Sequence, residues 1–379
     1  MKKGRILFFI GGSYVSGLEI VTLHLLKGLK DNGYELSCVI NGWNDGVFKE
    51  KLNEIGIPFH EAKLGWLYFR KPMWTLDSLA NYPKAFLTCR KILRSFKPDV
   101  IHFCSYHNLI MLYPLIRIKS VYNLQETHLP TRKHKAIYNL LNKKINAFTA
   151  VSEHIKRVLL NLSIPNEKIH LIYNGIPAVT ENGDQEREAL VQSKILEFAI
   201  IGQVAEWKGH SNLVGAVQNL VGNKKDNFVV VVYGNDNNSY AASLKERIRE
   251  KNLEKWFLWK GFVNSQDKIY EDCAVVIVPS LSEEPCSLTI IESMTRAKGL
   301  IVSDRGGNPE LIQDKKNGLV FKADDDVSLS DCMQLLLDDR TKILEYGKEA
   351  RNKALLEYSS IKMTSEYLSI YDEFINNHN

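Results

Sequence analysis

The chain has 379 residues, of which 45% are hydrophobic and 25% charged, with a formal net charge of +5. That length accommodates two domains, each with a full core, and the composition excludes a disordered, collagen-like or disulfide-stapled chain. No apolar run approaches the length of a membrane span. The net charge conceals an asymmetry: residues 1–175 carry 25 Lys and Arg against 12 Asp and Glu, whereas residues 176–379 carry 24 against 32. A basic first part points either to an anionic partner, such as a membrane surface or an acidic acceptor, or to a solvated face with no partner. Nucleic acid is disfavoured, because the aromatic residues are not interleaved with the basic runs. The six cysteines lack CxxC spacing and read as reduced thiols of a cytoplasmic protein.

In chain order, Met1-Lys2-Lys3 before an apolar run imitates a signal peptide. The run is short and Gly11-Gly12 follow it directly, so Arg5–Ile10 reads as a first strand. A Gly-rich turn then leads into a helix from about Glu19 to Asn32, with Ile20, Leu23, Leu26 and Leu29 on one face and Gly33 as its stop. The turn is not G-x-G-x-x-G, which disfavours a nicotinamide enzyme. Leu36–Ile40 is a second strand. Residues 65–97 read as a loop and an amphipathic helix. Trp66, Tyr68, Phe69, Met73 and Trp74 stand there beside Arg70 and Lys71, with Lys84, Arg90, Lys91, Arg94 and Lys97 following. Such a stretch suits a membrane interface; the alternative is aromatic core under a solvated basic face.

Asp99–Phe103, Ser120–Leu124, Phe148–Val151 and Lys168–Tyr173 continue a strand–helix alternation, the pattern of a parallel sheet covered by helices. His128 follows a strand end, where ligands gather in such sheets, and is favoured over His102, His107 and His154. Thr180–Glu188 is polar and reads as a linker. Phe198–Gly202, Val229–Tyr233, Phe257–Trp259 and Ala274–Val278 build a second sheet, with Glu246–Lys251 on a charged helix. Asp324–Asp326 precede a helix and read as dipole partners rather than metal ligands. A last helix, from about Ser359 to Ile375, presents Tyr367, Ile370, Tyr371 and Phe374.

The stretch Pro279–Ile312 carries the chemistry. An apolar strand stops at Pro279-Ser280, and Pro285 keeps the next loop out of a helix interior. Leu288, Ile291 and Met294 then recur at helical spacing, with Ser287 placed to cap the helix through its hydroxyl. The amides of Ser287 and Leu288 at a helix N-terminus attract phosphate. Glu284 before the helix and Glu292 inside it are poor phosphate ligands but good acceptors for sugar diols. Phosphate-seeking amides between two diol-seeking carboxylates fit a nucleotide-sugar.

Glu284 and Glu292, with the continuation through Gly306-Gly307-Asn308-Pro309-Glu310, resemble the E-x7-E segment of retaining glycosyltransferases with the GT-B fold, family 4 (group 1) in particular. Nearly the whole chain shares the resemblance, residues 198–320 most strongly. It implies an α/β architecture of two Rossmann-like parallel-sheet domains facing a cleft. Residues 1–177 would bind the acceptor and 178–359 the donor, with a final helix, 360–379, crossing back to the first domain.

The implied reaction moves a hexosyl-type sugar from a UDP- or GDP-sugar to a glycan or lipid-linked acceptor with retention, for cell-surface polysaccharide. It would run in the cytoplasm or at the inner face of the membrane, with anionic lipid as a peripheral contact and no nucleic acid. His128, Lys208 and Glu284 match catalytic positions. Gly17, Gln203, Phe262, Cys286, Ser287, Leu288 and Glu292 match donor-binding ones. No metal and no cofactor beyond the donor co-substrate is implied. Ser16 and Gln203 depart from the family pattern; Gln203 stands where Arg is usual, and cannot neutralise a phosphate. Two other readings share the motif: a nucleotide-sugar-binding subunit without turnover, and a nucleotide-sugar epimerase.

Overall fold

A computed structural model describes residues 3–65, 71–179 and 184–376. The chain divides into two compact units. Unit 1 comprises residues 1–177 with 359–379, and unit 2 comprises residues 178–358.

Among the described residues of unit 1, seven parallel strands form one sheet: β1 (Arg5–Ile10), β2 (Glu35–Asn41), β3 (Phe59–Ala62), β4 (Val100–Phe103), β5 (Lys119–Leu124), β6 (Ala147–Ala150) and β7 (Ile169–Leu171). Their order is β3-β2-β1-β4-β5-β6-β7. The strands are runs of apolar residues because helices cover both faces, which removes any need for alternation. The chain starts mid-sheet, winds outward through β2 and β3, and returns past β1 to β4. Ile6 therefore lies between Leu36 and Val100, and the loops after β1 and β4 diverge. β7 is shorter than the predicted Lys168–Tyr173. Lys168 instead ends a single 3-10 turn and donates to the Asn142 carbonyl at 2.7 Å.

The helix Gly17–Asp31 starts two residues earlier than predicted, because Glu19 turns back to bond Ser16 at its N-terminus. The helix Pro72–Phe96 buries Ala85, Cys89 and Ile92, whereas Met73, Trp74, Leu76, Leu79 and Leu87 are exposed. Met73 and Trp74 are thus surface rather than core; Trp66, Tyr68, Phe69 and Arg70 lie outside the described residues.

The helix Ser360–Asn376 packs on Gly17–Asp31 and buries Met363, Tyr367, Ile370, Tyr371 and Phe374 in unit 1. Two buried polar bonds fix its rotation: Tyr371 OH with His102 Nδ1 at 2.6 Å, and Tyr367 OH with Thr149 Oγ1 at 3.1 Å.

Unit 2 has six parallel strands among its described residues: β8 (Leu196–Ile201), β9 (Phe228–Tyr233), β10 (Phe257–Gly261), β11 (Val275–Val278), β12 (Gly299–Ser303) and β13 (Leu319–Phe321). The order β10-β9-β8-β11-β12-β13 reverses between β8 and β11. Its core gathers Phe198, Val217, Val230, Ile277, Ile301 and Leu336. The expected linker is only partly a linker. Thr180–Gly183 lie outside the described residues, but a helix occupies Asp184–Gln192, whose Glu186-Arg187-Glu188-Ala189-Leu190 is good helix-forming sequence. Asp325 caps the helix Asp326–Asp338 by accepting from the amides of Val327 and Ser328. No helix among the described residues is long and apolar enough to cross a membrane.

Candidate functional site

In an open parallel sheet the strand order reverses where two neighbouring loops part, and the gap beyond their carboxyl ends is the natural ligand site. In unit 2 that point lies between β8 and β11. After β8 come the exposed Gln203, a 3-10 turn Glu206–Lys208, and Gly209 at φ +76°. A side chain at Gly209 would put its Cβ 1.8 Å from the Pro279 carbonyl oxygen, so only glycine lets the turn press against the loop after β11. The Leu281 amide donates to the Trp207 carbonyl at 2.8 Å and ties the two loops.

That contact brings Lys208 Nζ to 2.6 Å from Glu284 Oε1. The Ser280 hydroxyl donates to the same oxygen at 2.7 Å. Behind Glu284 the Gly-Gly turn closes in: the Gly307 amide donates to the Glu284 carbonyl at 2.7 Å, and the Gly306 amide to the Glu283 carboxylate at 2.7 Å. Gly306 has φ +58°, and a Cβ there would meet the Glu284 carbonyl oxygen at 2.2 Å. Two glycine contacts therefore hold the loop 280–287 from both sides.

The helix Leu288–Thr295 begins beside this loop. Ser287 takes the N-cap place in extended backbone, but its hydroxyl makes no capping bond. The predicted hydroxyl cap is therefore corrected: at φ −70°, ψ 115° the first-turn amides are left without that partner, which suits an anion acceptor. Cys286 is buried, Ser287 is buried and Leu288 half-buried beside them.

Glu292 lies deeper. Its carboxylate accepts from Gln266 Nε2 at 2.6 Å and from Tyr270 OH at 3.1 Å. Burial pushes its pKa up, against the pull of those two bonds and of the nearby Arg296. The two glutamates thus differ: Glu284 is paired to a cation and Glu292 is held by neutral donors. Each keeps spare lone pairs, since a carboxylate offers about four acceptor sites. Phe262 is not brought to this group. It is 74% exposed just past β10, the edge strand two places from β8.

Unit 1 has its own reversal, between β1 and β4. Gly17 is exposed at the first position of the helix after β1. Glu19 is buried and accepts from the Ser16 amide at 3.0 Å and the Ser16 hydroxyl at 2.5 Å. Burial raises its pKa, and the Ser16 bonds oppose the rise. His128 follows β5. Its Nδ1 bonds Tyr138 OH at 2.8 Å and its Nε2 faces the Glu126 carboxylate at 3.2 Å. The ring stacks on His134 and meets Tyr106 edge-on. The bond from His128 holds the Glu126 carboxyl below its usual range.

The structure brings Lys208, Glu284, Ser287 and Leu288 to one strand-end group, with Cys286 beside them and Glu292 one turn inside. Sequence reasoning missed Ser280, Gln266 and Tyr270. Ser280 stands four residues before Glu284 at a strand end. Gln266 and Tyr270 are four apart on one helix, spacing that puts both on one face.

Residues 182–353 match the family profile "Glycosyl transferases group 1", and residues 15–179 match "Glycosyltransferase Family 4". The chain belongs to the group 1, family 4 glycosyltransferases. Among relatives, an uncharacterised glycosyltransferase of Methanocaldococcus jannaschii is 21% identical over 64% of this chain and 62% of its own length. The poly(ribitol-phosphate) alpha-N-acetylglucosaminyltransferase of Staphylococcus aureus is 24% identical over 71% of this chain and 52% of its own. The chain thus spans between half and two thirds of these two relatives.

Among solved structures, a glycosyltransferase from Rickettsia africae superposes with TM-score 0.83 at 20% identity, covering all of both chains. HepE of Anabaena, solved with UDP and glucose, gives 0.81 at 18% identity over 98% of this chain and 100% of its own. These likenesses show the GT-B fold: two Rossmann-like parallel-sheet units.

Proposed function

We propose that this group 1 glycosyltransferase moves a hexosyl-type sugar from a nucleotide diphosphate donor, UDP- or GDP-linked, to a glycan or lipid-linked acceptor with retention. The observation that carries the reading is the Lys208–Glu284 contact of 2.6 Å beside the uncapped start of the helix Leu288–Thr295. Negative charge builds on the departing phosphate as positive charge builds at the anomeric carbon. Lys208 has three ammonium hydrogens, and Glu284 uses one in the resting geometry. The other two, with the Ser287 and Leu288 amides, would meet the phosphate. Glu284 would take sugar hydroxyls, while Ser280 keeps its carboxylate in place. Glu292, anchored by Gln266 and Tyr270, would hold the ribose. Preorganised donors of this kind do not need to reorient during reaction, and losing one commonly costs about 10²–10³ in kcat.

The phosphate needs no metal in this scheme, because the ammonium and amides supply the positive potential. His128 is unit 1's catalytic candidate; Gly17 and Phe262 are weaker donor candidates. We extend the reading to cell-surface polysaccharide synthesis; the S. aureus relative is by name a transferase of N-acetylglucosamine to poly(ribitol-phosphate). We further assign the exposed stripe of the helix Pro72–Phe96 to an anionic membrane surface.

The test is a melting-temperature screen against UDP, GDP and ADP and their sugars, with and without magnesium, on wild type and Lys208→Ala. One nucleotide should raise the wild-type Tm equally in both buffers. Lys208→Ala should fold, bind that nucleotide weakly, and transfer sugar at least about 100-fold more slowly. Unchanged turnover in the variant would remove the site assignment. Nucleotide binding with no transfer to any acceptor would favour a non-catalytic subunit, a reading for which Gln203 is the motive. Isomerised donor without acceptor would indicate an epimerase.

A further inference from the structure

A second pocket lies in unit 1, at the carboxyl ends of β1 and β2. Ser13, Tyr14, Trp43, Met73, Trp74 and Asp77 line about 250 Å³. Ligand pockets commonly run about 300–1,000 Å³, so the space admits one small ring and not a nucleotide-sugar.

Its walls are fixed in advance. Asn41, 1% exposed at the end of β2, donates from Nδ2 to the Gly11 carbonyl and to Ser13 Oγ, both at 3.1 Å. Its Oδ1 accepts from the Trp43 amide at 3.1 Å. One buried amide thus sets both loops. The indoles are steadied from outside the chain's core: the Lys71 ammonium lies 3.8 Å from the Trp74 ring centroid, and that of Lys63 lies 5.4 Å from Trp43. Rigid rings spend little entropy when a ligand arrives.

The lining has two chemistries. Three aromatic rings and a methionine offer apolar faces, of which Tyr14 is 71% and Trp74 46% exposed. Asp77 accepts from Asn81 on Oδ1 at 2.9 Å and has a second oxygen for another donor. Ser13, whose oxygen already accepts from Asn41, retains its own hydroxyl hydrogen to give. A pyranose has the matching shape: an apolar C–H face that lies on an aromatic ring, and a rim of hydroxyls that both donate and accept. Among the described lining residues, the acidic side chain of Asp77 opposes a phosphate or an acidic sugar.

We propose that this pocket seats one neutral pyranose residue of the acceptor. The proposal rests on the glycosyltransferase reading, because an acceptor is what unit 2's donor group requires. It narrows the acceptor from any nucleophile to a chain that presents an uncharged sugar ring.

The test is saturation-transfer NMR on the full chain with methyl glycosides of glucose, galactose, mannose, N-acetylglucosamine and N-acetylgalactosamine. Methyl glucuronide and an octyl-chain amphiphile without sugar serve as contrasts, and the nucleotide melting screen runs in parallel. At least one neutral glycoside should bind through its ring protons. Trp74→Ala and Trp43→Ala should each weaken it at least about tenfold, as truncated aromatic anchors do. Trp74→Phe, which keeps a ring, should stay near wild type and shows that the site folds.

Stronger binding of the glucuronide overturns the neutral assignment. Binding of the amphiphile alone makes the pocket a lipid seat and overturns it as well. No glycoside bound while a nucleotide still raises the Tm overturns the pocket and leaves the donor reading standing. A bound glycoside with no nucleotide response leaves a sugar-binding pocket and removes the glycosyltransferase reading on which its acceptor role depends.

Discussion

Glu284 and Glu292 stand eight residues apart and do different work because of what surrounds each. Glu284 is matched by a cation, so its charge is already compensated. Glu292 accepts from the neutral Gln266 and Tyr270, with Arg296 nearby, and burial raises its pKa. A carboxyl whose folded pKa is raised is destabilising once ionised: the penalty is absent below the unfolded pKa, grows as pH rises through the folded value, and is constant above it. Glu292→Gln removes that slope. The Tm difference, variant minus wild type, should therefore be more positive at pH 8 than at pH 4, whatever fixed offset the altered bonds to Gln266 and Tyr270 introduce. Donor affinity should fall roughly tenfold or more with the lost charged acceptor. A Tm difference that stays flat across pH would mean that folding does not raise the pKa of Glu292. The glutamate pair stood out in the sequence because a strand stop, a proline and a helix start bracket it, whereas Lys208 came only from the family resemblance. The inequality of the two glutamates did not stand out, since the partners of Glu292 come from a helix some twenty residues earlier, and no local spacing announces them. The Ser287 hydroxyl cap was a misreading with a similar origin: residue type marks the N-cap place, but backbone angles decide where the hydroxyl points.

At the level of elements, the helix Ser360–Asn376 completes unit 1 although it follows unit 2 in sequence. It is keyed by Tyr367 and Tyr371, and by close approach at Gly28, where a Cβ would lie 2.3 Å from Thr364 Oγ1. Gly28→Ala sets two effects against each other. Alanine gains up to about 1 kcal/mol of helix propensity. Forcing a methyl into a packed helix contact costs about 1–3 kcal/mol. The clash should prevail, lowering the Tm, and Gly28→Ala with Thr364→Ala should recover most of the loss, as coupled neighbours do. Equal losses in the single and double variants would show that the helix does not pack through this point. Most strands were readable as apolar runs closed by Gly, Pro or Asn. β3 and β13 escaped because Phe59-His60-Glu61-Ala62 and Leu319-Val320-Phe321 are too short to carry a period. The helix Asp184–Gln192 escaped because its polar residues look like a linker. The aromatic pocket was half legible: Met73 and Trp74 drew attention, but Tyr14, Trp43 and Asp77 reach it only through the sheet order.

For the whole molecule, charge is the property that reaches furthest. Residues 1–175 hold 25 basic against 12 acidic residues, and the excess has a focus. Along Pro72–Phe96, Leu76, Leu79, Pro83 and Leu87 succeed one another at three- and four-residue steps, and Arg90, Lys91 and Arg94 continue the same stripe. All of these are exposed. The stripe is therefore apolar in its first half and basic in its second, the order needed to put side chains among lipids while ammonium and guanidinium groups meet anionic headgroups. The pyranose pocket sits at the apolar end, through Met73 and Trp74. A sugar carried on a lipid at such a surface would arrive next to it. Each basic residue near an anionic surface contributes about 1 kcal/mol, and the contribution fades within a Debye length. The chain should consequently float with vesicles containing phosphatidylglycerol at low salt, and remain in solution with vesicles of phosphatidylcholine alone. High salt should weaken the binding without abolishing it, because Leu76, Leu79 and Leu87 are indifferent to ions. Arg90→Glu with Arg94→Glu should cut vesicle binding by tenfold or more, by removing two attractions of that size and adding two repulsions. Both positions lie outside the donor group, so turnover on a water-soluble acceptor should be unchanged in that variant. Equal binding of wild type and variant to anionic vesicles would mean that the excess positive charge serves another partner.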